Sequence, residues 1–229
     1  PAAAEGIATF FFVLLGAGSV LVTGALTGGE MTAARLTAIA VAHGLAIAML
    51  VAAVAHLSGG HINPAVTFAA VITRRIGAAQ GALFVVAQLI GAVVAALLLG
   101  SLAPEALGGG LGKGAGTLGS HAIAPLITPM QGLVVEIILT AILVFVIFGA
   151  AMDKRGAGTI APLAIGFAVM VDHFVGVPLT GASMNPARTL GPAIAANAWA
   201  DHWVYWVGPL AGAGAAGLVY HYLFNSSEE

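Results

Sequence analysis

The tripeptide Asn-Pro-Ala stands at Asn63-Pro64-Ala65 and again at Asn185-Pro186-Ala187, 122 residues later in a chain of 229. Asn is a strong helix N-cap, and Pro fits the first helical position because no backbone N–H is needed there. Each copy therefore predicts a helix start. The Asn side chain also carries an amide with two N–H donors, so two such starts brought together would offer hydrogen bonds to a small polar molecule between them. Arg188 follows the second copy where Val66 follows the first. A charge there is either a functional group held at membrane depth or a snorkelling helix-end side chain. His61 precedes Asn63 by two residues. It is expected to line the mouth of the path and to hydrogen-bond the loop backbone, and its titration near neutral pH makes gating conceivable.

The elements that must position these residues are apolar. Hydrophobic residues make up 60% of the chain and charged residues 7%, against about 25% charged in a soluble domain. So few charges cannot cover a water-facing surface, and the chain reads as an integral membrane protein whose partner is the lipid bilayer. The net charge of -2 implies no nucleic-acid partner, and the absence of Cys excludes disulfides, thiol catalysis and Cys-ligated metals. The first apolar segment is too long for a signal-peptide core and lacks a basic flank. Apolar segments fall at about 4–26, 34–56, 78–101, 129–152, 159–177 and 202–224. Two shorter ones, near 64–73 and 186–196, follow the Asn-Pro-Ala copies. Ten residues are too few to span a bilayer, so these read as half-helices whose loops are buried in protein or line a watery cavity.

Charge and repetition organise the segments. Arg74 and Arg75, and Lys154 and Arg155, lie in loops that the positive-inside rule makes cytoplasmic, with both termini on the same side. Arg35 and Lys113 on the other side weaken that bias without reversing it. Ser58 to Thr67 aligns with Thr180 to Thr189, and Glu5 and Thr9 match Glu136 and Thr140. Three spans per half make the second half insert upside down, an arrangement that places transport pathways near the midplane. The chain is thus expected to be one transmembrane channel domain over 1–229, with inverted repeats at about 1–101 and 129–229.

These residues, together with Ala87-Gln88 and the run His202-Trp203-Val204-Tyr205-Trp206-Val207-Gly208-Pro209, carry a resemblance to the aquaporins (major intrinsic proteins) over essentially the whole chain. The resemblance implies an all-α membrane protein of six tilted helices plus two re-entrant half-helices, with one pore per subunit and a homotetramer. It implies that Asn63 and Asn185 point their amides into the pore and donate to a passing water. In this family, half-helix dipoles and an Arg act as barriers to protons and cations. It assigns Arg188, His43, His173 and Ala182 to the narrowest constriction, and Glu5 and Glu136 to a structural role as acceptors for the backbone before each half-helix. His173 opposite an Arg resembles the water-selective members, and Thr189 replaces the Asp that glycerol facilitators carry after Asn-Pro-Ala-Arg. His43 resembles the plant tonoplast members, and His121 sits where those members can place a further filter His.

The expected function is a passive water channel that excludes protons and ions, working in a plasma or vacuole-type membrane. Its alternative is a channel that also passes ammonia, urea or hydrogen peroxide. A secondary transporter would also use inverted repeats, but the deep acids here are only the repeat-matched Glu5 and Glu136. An Asp172, His173 and Ser183 triad is disfavoured, since adjacent side chains cannot readily both turn inward. No catalytic residue, metal or cofactor is expected. Ser226 and Ser227 are phosphorylation candidates.

Overall fold

Caps written into the sequence delimit most helices of the computed structural model, which describes residues 1–156 and 158–224. Ser226 and Ser227 lie outside those residues. Helix α1, Ala2–Leu26, is followed by α2, Ala33–Ser58, which Thr32 caps by accepting from Arg35 N and which ends at Gly59 with φ 91°. The first Asn-Pro-Ala opens α3, Pro64–Ile72, where Asn63 Oδ1 accepts from Ala65 N at 2.8 Å. Then come α4, Ala78–Leu102, and α5, Pro129–Ile147, opened by a reciprocal Thr128–Gln131 capping box and ending in a π turn, Phe148–Met152. Helix α6, Ala161–Thr180, ends at Gly181 with φ 86°. The second Asn-Pro-Ala opens α7, Pro186–Ala196, with Asn185 Oδ1 accepting from Ala187 N and Arg188 N. Helix α8, Val204–Phe224, is the last described element, and no strand occurs among the described residues.

Among the described residues, five helical segments are long and apolar enough to cross a membrane: Ala2–Leu26, Ala33–Ser58, Ala78–Leu102, Pro129–Met152 and Gly158–Thr180. Helix α8 has the length, 21 residues, but its glycines, tyrosines and His221 dilute its apolar character. The expected segment 159–177 runs on to Thr180, because Pro178 in the last turn forfeits a single backbone bond and the helix stops only at the left-handed Gly181.

Packing is by close approach of small residues. A Cβ on Gly44 would stand 2.6 Å from Gly166 O, and one on Gly166 2.5 Å from Gly44 O, so α2 and α6 meet backbone to backbone. Gly91 likewise lets α4 reach Gly6 of α1, and Gly212 lets α8 reach Ile137 of α5. Helix α3 leans on α8 and α4, and α7 on α4. Polarity is inverted relative to a soluble protein. Glu5, Glu136, Gln88 and Arg188 are buried, while Ile90 at 60%, Phe167 at 53% and Ile138 at 52% are exposed on the outside. This distribution suits a bundle whose solvent is hydrocarbon and whose interior carries the polar groups.

Candidate functional site

The loops before α3 and α7 carry backbone N–H groups that neither helix can pair. Each is served by one buried carboxylate. Glu5 of α1 accepts from Ser58 Oγ (2.7 Å) and His61 N (2.9 Å) through one oxygen, and from Ile62 N (2.6 Å) and Gln88 Nε2 (2.8 Å) through the other. Glu136 of α5 accepts from Thr180 Oγ1 (2.6 Å), Ser183 N (2.9 Å) and Met184 N (2.8 Å). The bonds at Ile62 and Met184 hold residues at φ 55° and 50°. A side chain with a Cβ adopts that region only under constraint, most of all a β-branched one.

So held, the two loops meet through their Asn side chains. Asn63 Nδ2 donates to Met184 O at 2.8 Å, and Asn185 Nδ2 donates to Ile62 O at 2.9 Å. Each Asn thus caps its own helix with Oδ1 and spends one amide hydrogen on the opposite loop. One amide hydrogen on each remains for a third group. The expectation from the sequence is that each Asn caps its helix and points its amide at a passing water. The fold divides the amide hydrogens, because the carbonyls exposed by the left-handed residues also need donors.

Both Asn border a central cavity of about 30 Å³, walled by Phe12, Val51, Leu143 and His173 among others. On this measure about 10–15 Å³ holds one water, so the space has room for about two or three waters. It continues, past Gly60, His61 and Val66, into a wider vestibule of about 290 Å³. His61 borders both spaces. Its Nδ1 lies 3.1 Å from Thr67 Oγ1, which also accepts from Gln88 Nε2 and donates to Asn63 O. The ring therefore pairs with a hydroxyl, and the expected bond from the ring to the loop backbone is not formed. The His61 backbone N–H goes to Glu5 instead. Arg75 lines the vestibule and donates to Met152 O at 2.7 Å, so the turn after α3 and the exit of α5 share one end of the bundle.

Beyond His173 at the other end of the cavity lies a second polar cluster. Arg188, 2% exposed, donates from Nη1 to Gly119 O at 2.9 Å and directs Nε and Nη2 at His43 Nε2, each at 3.3 Å. His43 Nδ1 faces Ile39 O at 2.9 Å, an atom that can only accept. The ring hydrogen must therefore be on Nδ1, leaving Nε2 as the acceptor for Arg188. His173 is fixed the same way by Val169 O at 2.7 Å, and the two rings lie 4.3 Å apart. Ion pairs among the described residues join Lys113 to Glu105 and Arg155 to Asp153, not Arg188 to a carboxylate. Its charge adds to roughly half a positive charge at each short-helix N-terminus.

His121 and Ala182 flank this cluster. His121 is buried, with Nδ1 2.8 Å from Thr189 Oγ1 and its ring beside Tyr205. Burial, with the Arg188 charge nearby, holds its imidazole well below the usual histidine range. Ala182, at φ 57°, is fully buried against Gly176 of α6. Ser183 Oγ engages Thr189 Oγ1 at 2.6 Å and donates to Asn185 O, so it takes no part in a His–Asp constellation. Gly119 was not legible as a participant, because it contributes a carbonyl and not a side chain. Ser58 and Thr180 were legible only as members of the repeat alignment.

A family model described as major intrinsic protein matches residues 1–220. Aquaporin TIP2-1 of Zea mays is 48% identical over 224 residues, covering 96% of this chain and 86% of that protein. Aquaporin TIP4-4 of Zea mays is 46% identical over 96% of this chain and 85% of its own length. Aquaporin-4 of Mus musculus is 45% identical over 96% and 66%. The crystal structure of the aquaglyceroporin from Plasmodium falciparum superposes with a TM-score of 0.77 over 97% of this chain and 95% of that one, at 23% identity, a likeness of fold alone. Family match, relatives and fold agree, and the chain belongs to the major intrinsic protein family, the family of the aquaporins.

Proposed function

We propose that the protein is a passive water channel. The observation that carries this reading is the pair of crossed amide bonds, Asn63 Nδ2 to Met184 O and Asn185 Nδ2 to Ile62 O, at the border of a cavity of about 30 Å³. Both Asn line that cavity, and one amide hydrogen on each is left to serve a water there. A water oxygen that accepts from both Asn has its lone pairs engaged and points its own hydrogens outward along the path. It cannot accept a proton from a neighbouring water, so a hydrogen-bonded wire is broken while water itself passes. Arg188, with His43, His173 and Ala182, forms the selectivity filter, and His121 extends it. The narrow apolar-walled cavity and Thr189 favour water over glycerol.

The architecture that goes with this reading is six spans, including α8, and two re-entrant half-helices, α3 and α7. They are arranged as inverted repeats at about 1–101 and 129–229, with both termini cytoplasmic. The matched carboxylate clamps of Glu5 and Glu136 support the repeat. The Arg75–Met152 bond, which gathers the basic loops at one end, supports the orientation. Four such subunits form the homotetramer. Glu5 and Glu136 serve as backbone acceptors, not proton carriers, since both oxygens of each already accept from loop or side-chain donors.

Stopped-flow light scattering on proteoliposomes tests the function, with separate osmotic, glycerol, urea, ammonia and peroxide gradients. Fast osmotic shrinkage without glycerol flux is expected. Rates equal to empty liposomes, with the oligomer intact, would overturn the water-channel reading. The remaining gradients decide whether ammonia, urea or peroxide also passes.

A further inference from the structure

We propose that Gly16 of α1 is a positioning residue of the filter, and that its missing side chain sets where the His43 ring stands. This rests on the filter reading above. Gly16 is buried on the α1 face that looks at α2. A Cβ placed on it would stand 2.6 Å from His43 Nε2 and 2.8 Å from Cδ2. The ring has no free direction in which to yield. Its Nδ1 is bound to Ile39 O, its Nε2 receives Arg188, and its face lies against His173. One turn earlier on the same helix, Phe12 meets the ring edge-on at 5.9 Å between centroids. A methyl at position 16 must therefore displace the ring and disturb its bond with Arg188.

The next residue supports the other side of the same guanidinium. Gly119, whose carbonyl accepts from Arg188 Nη1, has φ 68°, and a Cβ on it would stand 2.7 Å from Ala17 Cα. Successive residues of α1 thus back both groups that hold Arg188. His43 is backed by an absent side chain and Gly119 by a small one. The place of the filter groups is then decided partly by two positions of α1, Gly16 and Ala17, that are small or lack a side chain.

The test is Gly16→Ala, alone and combined with His43→Ala, in proteoliposomes. Ala is the better helix former, so the substitution does not weaken α1 itself. Gly16→Ala is expected to lose most of the water flux while oligomer and thermal stability are kept. In the His43→Ala background the same methyl is expected to change nothing, because the ring it displaces is gone. Wild-type flux from Gly16→Ala overturns the proposal. So does an equal loss with and without the His43 ring, since that is a packing defect between helices. Wild-type protein run alongside separates the two readings. If it does not conduct, the channel function fails first. If it conducts and the cycle shows no coupling, only the role of Gly16 fails.

Discussion

Substitutions at Glu136 read out how much of the pore loop rests on a single carboxylate. The group is fully buried and receives Thr180 Oγ1, Ser183 N and Met184 N. In Glu136→Gln the amide oxygen can keep Thr180 and Ser183, and the new NH2 then confronts Met184 N, donor against donor. One buried N–H left unpaired costs about 1–3 kcal/mol. Glu136→Ala strands both backbone N–H groups, for about 2–6 kcal/mol, while the Thr180 hydroxyl can turn to its own helix. The effect reaches the pore because Met184 O is also the acceptor for Asn63 Nδ2. Heating the detergent-solubilised protein and measuring the folded fraction should rank wild type above Glu136→Gln and Glu136→Gln above Glu136→Ala. Water flux in proteoliposomes should fall in the same order. A Glu136→Ala protein as stable as wild type would refute the clamp. Glu136→Gln falling below Glu136→Ala would refute the donor count behind it.

Other perturbations address the remaining groups. Arg188→Val removes the donors to Gly119 and His43 together with the uncompensated charge, and glycerol and cation fluxes should rise; unchanged selectivity would show that Arg188 does not guard the path. His173→Gly removes one of two stacked rings and should raise urea or glycerol flux, whereas no gain would assign the width to other residues. At the vestibule end, hydrogen bonds from the Arg155 side chain and backbone hold the Asp153 carboxyl below the usual carboxylate range. A depressed value contributes stability above the ordinary carboxylate range and loses it as pH falls through the folded value. The Arg155 and Tyr220 contacts of Asp153 should therefore persist into strong acid, and a carboxyl carbon NMR titration with an ordinary midpoint would contradict this.

How much was legible follows from which interactions are local. The membrane class came from composition, since 7% charged residues cannot clothe a soluble surface. The helix starts at Pro64 and Pro186 came from the bonding of Asn to its own following N–H groups, a contact within two or three residues. The matched positions of Glu5 and Glu136 came from the repeat. Their partners did not, because the clamps join residues 56 and 57 apart in one half and 47 and 48 apart in the other. His61 shows the limit well. Its place beside the path was readable from its distance to Asn63, but its ring partner Thr67 lies one turn inside the helix.

Sequence alone determined a chain that must live in a bilayer, two short helices with capped N-termini, and an Arg beside the second of them. Period, capping and composition act over a few residues and need no tertiary partner. Tertiary structure decided that each Asn amide is shared with the opposite loop, that Arg188 rests between Gly119 and His43, and that Gly16 stands behind the His43 ring. Those outcomes depend on backbone carbonyls and on side chains that are absent, and neither leaves a mark in the identity of the residue that uses them.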